Sequence, residues 1–341
     1  AEAHRKAEPP DPAVACRGLA SGPRAQLSRL LAKSPSARPD SAMAVATTWA
    51  AEAGSGLEVE QLDSLLAYVR SPRLVGQDAT LARARELVEL AADRAAEGGR
   101  ALRIVGPPGS GKSRVLDGAA QRAQLRGVRV LRGRAGGADD PMAGLAEPIR
   151  EATRLAGDAA EPLLPELVKI SAVLGRERGV EPSPPLAPDD ERLRLGAAVW
   201  DVLVGAALRP LLLVVDDANE LSPEADQLLA YLLRRLALAQ GEGERAPVTI
   251  LVAGRDEEGE GAVEEFARHA GSATTSLLDE AQTGELLDAL FPSLDGRDEL
   301  AALFQRELGG GAALAERWAA MLIREGALTR EGRGWSVVLD H

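Results

Sequence analysis

The chain has 341 residues, of which 45% are hydrophobic and 27% charged, a balance typical of a globular protein with a sizeable core and room for two domains. Its formal net charge of −12 opposes the electrostatic attraction that drives nucleic-acid binding, and therefore speaks against DNA or RNA as a partner. The single cysteine excludes an internal disulfide framework, and the three histidines lie too far apart in sequence to indicate a metal site.

The first 71 residues are expected to form irregular chain and short helices. Residues 1–23 contain four prolines and no apolar segment of the kind found in signal peptides, which favours a cytoplasmic location. The residue pattern after this segment predicts three helices, at residues 25–33, 41–53 and 57–69.

From residue 78 the pattern is that of an α/β domain. A long helix is predicted over residues 78–97, closed by two glycines. Apolar runs then alternate with helical segments, as in a parallel sheet covered by helices, and none of these runs is long enough to span a membrane. The predicted strands are residues 102–105, 128–131, 211–215, 248–253 and 273–278.

Helical periodicity dominates residues 143–208, except in a proline-rich loop at 181–188. After residue 279 the sequence predicts only helices, until a short strand begins near Trp335. These C-terminal helices are predicted at residues 279–290, 297–308 and 312–325.

A complete phosphate-binding loop follows the first predicted strand. Residues 106–113 read G-P-P-G-S-G-K-S, and the glycines let the backbone fold round an anion so that several N–H groups converge on phosphates. Lys112 supplies a point charge to the β- and γ-phosphates, and the Ser113 hydroxyl is suited to bind Mg²⁺. The predicted nucleotide-binding residues are Gly106, Pro107, Pro108, Gly109, Ser110, Gly111, Lys112, Ser113 and Arg114.

Composition argues against the alternative that this segment is a glycine-rich turn without a ligand. Only four of the 40 basic residues are lysine, and one of them occupies the position where a compact ammonium suits phosphate better than a guanidinium. The helix predicted over residues 113–124 also directs its N-terminal dipole end at the same anion.

Two carboxylates end the third predicted strand, whose continuous apolar run is typical of a strand buried on both faces. We expect Asp216 to bind Mg²⁺ and Asp217 to orient or activate the attacking water. The alternative is a strand that ends in a solvated turn.

Arg255 follows the fourth predicted strand and would lie at the same edge of the sheet, because ligands of open α/β sheets bind outside the carboxyl ends of the strands. It is either a sensor of the γ-phosphate or a surface arginine whose charge is balanced by the acidic residues after it. Both interpretations stay open.

The base is expected to be adenine. GTPases of this loop class recognise guanine with an N-K-x-D element, whereas the single asparagine of this chain, Asn219, has no lysine near it. Five arginines spaced over residues 122–134 are interpreted as a solvated edge of a helix and a strand, because no aromatic residues interleave with them.

These motifs, in this order, resemble the bacterial AAA ATPase-like domain of signalling proteins, a member of the STAND class of P-loop NTPases. The resemblance covers about residues 72–338 and includes V-G-Q-D at 75–78 and A-G-R at 253–255. It implies a three-layer α/β/α P-loop NTPase fold with a parallel sheet, followed by a C-terminal helical lid. It also implies that Val75 and Gly76 lie near adenine.

The chain departs from the family pattern at two places. Gln77 stands where arginine is usual. The family's G-N-P-x-x-x-E element of the lid corresponds to residues 309–316, which read G-G-G-A-A-L-A-E and lack the proline. The way in which the lid senses the nucleotide is therefore expected to differ.

Residues 24–42 resemble the last two helices of the C-terminal lobe of bacterial Ser/Thr protein kinases, with Arg38 in an L-L-x-K-x-P-x-x-R-P pattern. The chain has no glycine-rich kinase loop, no H-R-D-x-x-x-x-N and no D-F-G, so no kinase chemistry is expected. The resemblance implies a short helical N-terminal remnant of a kinase domain and a fragment of a kinase–ATPase polypeptide. An ordinary helix–turn–helix is the alternative.

We therefore expect a slow ATP-hydrolysing signalling switch whose cofactors are ATP and Mg²⁺. The expected segments are a kinase-lobe remnant (1–55), a linker helix (56–71), a P-loop ATPase core (72–278) and a lid with the start of a winged-helix-like or linker segment (279–341). The expected partners are ATP, ADP and neighbouring domains, namely a kinase domain upstream and a sensor or repeat domain downstream, with a nucleotide-dependent oligomer left open. The alternatives are an AAA+ remodelling or DNA-loading ATPase and a non-hydrolysing scaffold.

Overall fold

The chain divides into two compact units in the computed structural model. The smaller unit comprises residues 1–71, 319–329 and 338–341, and the larger comprises residues 72–318 and 330–337. The division of the chain into four functional segments stays a prediction. The structure describes residues 11–16, 18, 19, 21–34, 37–39, 45, 49, 74–93, 100–136, 140–241, 247–256, 261–331 and 334–337.

Two short helices are described in the N-terminal part of the smaller unit, α1 (Pro12–Ala15) and α2 (Ser21–Leu30). Helix α2 begins before the predicted residue 25, because Pro23 falls in its first turn, where no backbone N–H is needed for the helix. The helices predicted over residues 41–53 and 57–69 lie outside the described residues, apart from the isolated residues 45 and 49.

A parallel sheet of five strands forms the centre of the larger unit. The order of the strands is β2-β3-β4-β1-β5, and every neighbouring pair is parallel. The predicted α/β fold with a parallel sheet is confirmed, and the carboxyl ends of the strands meet at one edge. The strands are β1 (Arg100–Val105), β2 (Arg129–Arg134), β3 (Leu211–Asp216), β4 (Val248–Gly254) and β5 (Gly271–Thr274).

Helices cover both faces of this sheet and complete the three-layer arrangement. They are α3 (Asp78–Ala92), α4 (Lys112–Leu125), α5 (Ala146–Ala156), α6 (Leu164–Leu167), α7 (Ala172–Arg178), α8 (Pro188–Ala206), α9 (Pro223–Gly241) and α10 (Ala262–His269), with 3₁₀ turns at Gly157–Leu163 and Ala218–Glu220. Helices α3 and α4 pack on one face, and α5, α8, α9 and α10 pack on the other. No helix in the described part of the chain has the length and apolar character needed to cross a bilayer.

The side chains of β3 alternate between the two cores, because successive residues of a strand point to opposite faces. Leu212 and Val214 belong to the core under α3 and α4, whereas Leu211, Leu213 and Val215 belong to the other core. All six residues of the strand are buried. A strand buried on both faces has no polar side, which explains its continuous apolar sequence.

The C-terminal part contains three helices, as predicted, and three short strands. Helix α11 begins with a capping box in which the Asp279 carboxylate accepts from the Gln282 backbone N–H and the Gln282 side chain accepts from the Asp279 backbone N–H. Strand β6, which the helical pattern did not predict, pairs in parallel with β8. The elements are α11 (Glu280–Leu290), β6 (Leu294–Asp295), α12 (Arg297–Leu308), α13 (Ala312–Arg324), β7 (Leu328–Glu331) and β8 (Gly334–Val337).

Strand β5 is shifted from its predicted position at residues 273–278. It ends at Thr274, because the backbone of Ser276 pairs with the side chain of Gln77 instead of a neighbouring strand. The backbone N–H of Thr275 still donates to the Val105 carbonyl of β1 at 2.8 Å, and the segment from Ser276 to Asp279 leaves the sheet and leads into α11.

Candidate nucleotide-binding site

A cavity of about 460 Å³ opens at the carboxyl edge of the sheet, within the size range of small-molecule sites. Two chemically different groups of side chains line it. The polar group includes Lys112, Ser113, Arg134, Asp217, Asn219 and Arg255, and the apolar group includes Leu74, Val75, Leu278, Leu286, Ala312 and Ala313. The cavity therefore offers an apolar wall for a base and charged groups for phosphates.

The phosphate loop connects β1 to the first residue of α4. Gly109 and Gly111 have φ values of +79° and +96°, in the left-handed region that favours glycine. Gly111 is the N-cap of α4, so the free N–H groups of that helix begin directly at Lys112. The Lys112 ammonium donates to the carbonyl oxygens of Gly106 and Pro107, at 2.8 and 2.9 Å.

Thr275 packs directly against this loop. A β-carbon on Gly106, whose φ is +153°, would lie 2.4 Å from both the carbonyl oxygen and the Oγ1 of Thr275. The hydroxyls of Ser110 and Thr275 lie 2.6 Å apart, and both residues are buried. Ser110 Oγ also lies 2.8 Å from the Pro107 carbonyl oxygen, and Thr275 Oγ1 lies 3.2 Å from the Val105 carbonyl oxygen. Each hydroxyl has one proton, so one hydroxyl donates to the other and the second donates to its carbonyl. The buried hydroxyl pair joins the phosphate loop to the segment after β5.

The two carboxylates after β3 have different environments. Asp216 is only 2% exposed, and its Oδ1 accepts a hydrogen bond of 3.0 Å from the backbone N–H of Asp217. Asp217 has a φ of +54°, an uncommon conformation for a residue with a side chain, and it lines the cavity. The arrangement is not the solvated turn of the alternative interpretation, because Asp216 is buried.

The charges around the loop act on one another. Burial lowers the pKa of Lys112, while the carboxylates of Asp217 and Asp216 oppose that shift. The guanidinium of Arg255 lowers the pKa of Lys112 further. The charges of Asp216, Asp217 and Arg255 therefore lie close enough to Lys112 to change its pKa.

Arg134 is the most informative residue that sequence reasoning missed. It ends β2 opposite Asp216 in the strand register, and its Nε and Nη2 donate to Oδ2 of Asp217 at 2.9 and 2.8 Å. Its side chain is 73% exposed, in agreement with the sequence interpretation of a solvated edge, and the contact with Asp217 is what that interpretation lacks. The position at the carboxyl end of a parallel strand is the signal that could have identified it.

The other arginines of that stretch do pair at the surface, where Arg122 and Arg126 bind Glu89 and Arg132 binds Asp117. Their side chains are between 42% and 49% exposed, so they form a half-exposed helix and strand edge.

Two contacts connect the loop to helix α13. The Arg114 guanidinium, next to Ser113, forms an ion pair with Glu316 at 3.1 Å, and the backbone N–H of Ala313 donates to the Gly109 carbonyl at 3.3 Å. The two charged side chains are about one third and one quarter exposed. The first turns of α13 are thus tied to the phosphate loop by one charged and one neutral contact.

The glycines before α13 explain the departure from the G-N-P pattern. Gly310 has a φ of +79°, and a β-carbon there would lie 2.0 Å from the carbonyl oxygen of Leu278. The Gly310 carbonyl accepts from the Leu278 backbone N–H at 2.9 Å, and the Gly311 backbone N–H donates to Leu308 at 3.2 Å. Proline at position 311 could not make that bond, because it has no N–H.

Gln77 performs a structural task at the apolar wall. Its buried carboxamide donates to the Ser276 carbonyl at 2.8 Å and accepts from the Ser276 backbone N–H at 3.3 Å. Val75 lines the cavity, whereas Gly76 does not, and a β-carbon on Gly76 would lie 2.7 Å from Cδ2 of Leu278. A neutral amide at position 77 therefore satisfies a backbone pair, which a guanidinium could do only on its donor side.

Most of the predicted site residues converge on the cavity. Pro108 to Arg114, Asp217 and Arg255 line it, whereas Gly106, Pro107 and Asp216 lie outside the lining. The described residues contain no cluster of three or more His, Cys, Asp or Glu that could hold a metal ion. Ser113 and Asp216 offer the hard oxygen ligands that Mg²⁺ prefers, so the metal would need phosphate oxygens and water to complete its coordination.

Comparison with known proteins identifies a shared family for the larger unit. Residues 73–251 match the sequence profile of the AAA ATPase domain. No curated protein sequence matches the chain significantly.

Three similar solved structures are those of an Orc1 protein, a Cdc6p protein and an ORC. The Orc1 protein of Aeropyrum pernix in complex with DNA is 21% identical, with coverage of 79% of this chain and 65% of that chain and a TM-score of 0.49. Cdc6p of Pyrobaculum aerophilum is 16% identical, with coverage of 77% of this chain and 66% of that chain and a TM-score of 0.49. The Drosophila ORC bound to DNA is 13% identical, with coverage of 78% of this chain and 61% of that chain and a TM-score of 0.42. The chain thus spans less than two thirds of each of these proteins.

The expectation that nucleic acid is an unlikely partner was wrong, because two of these similar structures contain DNA. The net charge of −12 is a sum over the whole chain, and binding depends on the local distribution of charge.

Replacing Thr275 by valine tests the support of the phosphate loop. The substitution keeps the shape of the side chain and removes the hydroxyl, so we expect the Kd for Mg²⁺-ATP to rise about tenfold, as for one lost buried hydrogen bond. Isothermal titration measures it. Thr275→Ser keeps the hydroxyl and should restore affinity, whereas equal losses in both variants would contradict the role of the hydroxyl pair.

Proposed function

We propose that this chain, which belongs to the AAA ATPase domain family, binds Mg²⁺-ATP between its phosphate loop and its C-terminal helices, hydrolyses it slowly and changes the position of those helices with the bound nucleotide. One observation carries the proposal: the phosphate loop, Asp217 after β3 and the first turns of α13 all line one cavity. A nucleotide there would contact all three at once.

The loop residues would hold the triphosphate. The N–H groups from Gly109 to Ser113 lie at the start of α4 and can donate to phosphate oxygens, in the field of the helix dipole. Lys112 would exchange its two carbonyl partners for phosphate oxygens, which attract an ammonium group more strongly than neutral carbonyls. The present contacts keep the ammonium within reach of the loop.

The carboxylates would support hydrolysis. Mg²⁺ bound through Ser113 and Asp216 would neutralise charge that develops on the phosphates. Asp217 would orient the attacking water and accept its proton. We expect slow turnover, because the Asp217 carboxylate is engaged by Arg134 and must exchange that partner for water.

Adenine is the proposed base. The apolar residues Val75, Leu278 and Leu286 would pack on its faces, and the chain lacks the N-K-x-D element that reads guanine. Arg255 lines the polar part of the cavity and shares the field of Lys112, which supports a role at the γ-phosphate.

The signalling role rests on the sequence resemblance to STAND-class proteins. The kinase-like residues 24–42 are part of that proposal, and the Nε of Arg38 donates to the Ala32 carbonyl at 2.9 Å. The proposed partners are a kinase domain upstream and a sensor or repeat domain downstream, in a cytoplasmic polypeptide. An open reading frame that begins near Ala1, without upstream H-R-D and D-F-G motifs, would overturn this part.

Lys112→Ala tests nucleotide binding directly. At ~1,000 times its Kd, Mg²⁺-ATP should stabilise the native chain by about 4 kcal/mol, which corresponds to ~8–16 °C in Tm for a module of this size. The variant should lose this shift in differential scanning fluorimetry. Lys33→Ala, an exposed lysine outside the cavity, is the matched control and should keep it; an equal shift in Lys112→Ala would refute the site.

Asp217→Asn separates binding from hydrolysis. Loss of a general base should lower phosphate release by at least ~10²-fold, while the ATP-induced Tm shift stays within a few degrees of that of the native chain. Glu220→Gln neutralises another carboxylate that lines the cavity and should change the rate less than threefold. No turnover in the native chain would favour the scaffold alternative, and turnover that rises steeply with protein concentration would favour an oligomeric motor.

Trp318 reports on helix α13, where it packs edge-to-face on Phe304 with ring centroids 5.8 Å apart. If ATP repositions the helix, tryptophan emission should change on addition of Mg²⁺-ATP. The change should disappear in Trp318→Phe and shrink in Glu316→Gln, which removes the ion pair with Arg114. Glu307→Gln, which removes an ion pair on α12, should leave the signal intact. A signal that survives in Trp318→Phe would show that another part of the chain moves.

A further inference from the structure

A second cavity, of about 270 Å³, opens at the amino-terminal edge of the sheet. Its wall includes Arg100, the first residue of β1, and Gly271, the first residue of β5. It shares no lining residue with the nucleotide cavity. The three residues of β1 that follow Leu102, the last strand residue in its lining, separate the two cavities by ~10 Å of strand.

The lining of this second cavity is strongly basic for an acidic chain. Arg83 from α3, Arg100 from β1, and Arg268 and His269 from α10 line it, and Glu86 is the one carboxylate among the described residues of the lining. Guanidinium groups from three separate elements therefore surround one small space. An arrangement of this kind matches an anion that accepts several N–H donors from different directions.

Two of the three arginines already have partners. Arg83 pairs with Glu86 at 2.6 Å, and both side chains are 56% exposed. Arg268 pairs with Glu264 and, at 3.5 Å, with Glu265. Glu265 also has Arg234 at 3.0 Å and His269 at 3.4 Å. These carboxylates offset the charges of Arg83 and Arg268 in the absence of a ligand.

Arg100 is different, because none of the described carboxylates lies within ion-pair distance of its guanidinium. Its Nε is buried and has no hydrogen-bond partner. A buried donor without an acceptor is unfavourable for folding, since it has lost water and gained nothing in return. Arg100 therefore lowers stability in the free chain. The buried Nε is closed to an acceptor from solvent, so the two Nη groups of the same guanidinium are the donors that an acceptor from outside can reach.

We propose that this cavity binds a small multivalent oxyanion, with Arg100 as its principal donor and Arg83 and Arg268 at its sides. The planar guanidinium fork of Arg100 would bind two oxygens of a phosphate or carboxylate group. The small volume and the basic groups in the lining favour an anion without a large apolar body, such as inorganic phosphate or a short polycarboxylate. The site does not depend on ATP binding.

Isothermal titration of the full chain with inorganic phosphate and with citrate, at constant ionic strength, tests the site. Every sample carries Lys112→Ala, so that the phosphate loop does not contribute. We expect one of the two anions to bind with one equivalent, and Arg100→Gln to weaken that binding at least tenfold. The anion that binds identifies the ligand class as phosphate or carboxylate.

Arg129→Gln is the matched control, since it removes the same charge from an exposed residue at the start of β2, on the same edge of the sheet. It should change the affinity less than twofold. Without anion, Arg100→Gln should raise Tm, because it removes an uncompensated guanidinium, whereas Arg129→Gln should not. The Tm measurement without anion tests the role of Arg100 even if the chain binds the anion too weakly for titration.

Equal anion affinity in Arg100→Gln and in Arg129→Gln would overturn the proposal. The absence of binding of either anion at 10 mM would also overturn it, because this concentration is about 100 times a Kd of ~0.1 mM. A lower Tm of Arg100→Gln without anion would also contradict it, because Arg100 would then be a structural residue. If Arg100→Gln fails to fold, Arg268→Gln in the same titration provides the comparison.

Discussion

The close approach of Gly106 to Thr275 is the constraint on which the site depends. Position 106 has no space for a β-carbon, and the hydroxyls of Ser110 and Thr275 meet in the buried space behind the loop. The loop can therefore curve round an anion only where the segment after β5 supports it. That segment exists because β5 is next to β1 in the sheet, so the order of the strands determines the shape of the phosphate loop.

The same segment connects the loop with the C-terminal helices. Ser276 is held by Gln77, Leu278 is hydrogen-bonded to Gly310, and Asp279 begins the capping box of α11. A nucleotide would thus meet a continuous set of contacts, from the loop through residues 275–279 to the start of α13. In this account the lid responds through packing and the Arg114–Glu316 ion pair, without the proline of the G-N-P pattern.

Much of the fold and part of the site could be predicted from sequence, because the relevant information is local. Eight consecutive residues contain the phosphate loop, and an apolar run followed by Asp216 and Asp217 defines β3. Arg134, Thr275 and Glu316 could not be found in this way, since their proximity to the loop depends on strand order and on helix packing. The expectation that nucleic acid is an unlikely partner failed for a related reason: the net charge of a chain contains no information about where the charges lie.

The central claim is that one nucleotide contacts both the phosphate loop and the first turns of α13. Hydrogen–deuterium exchange with and without Mg²⁺-ATP tests this most directly, because it reports on the backbone of each segment separately. The account predicts slower exchange in residues 106–113 and 312–317 together, with both effects absent in Lys112→Ala. Protection of residues 106–113 alone would contradict it, since ATP would then bind to the loop without engaging the helix.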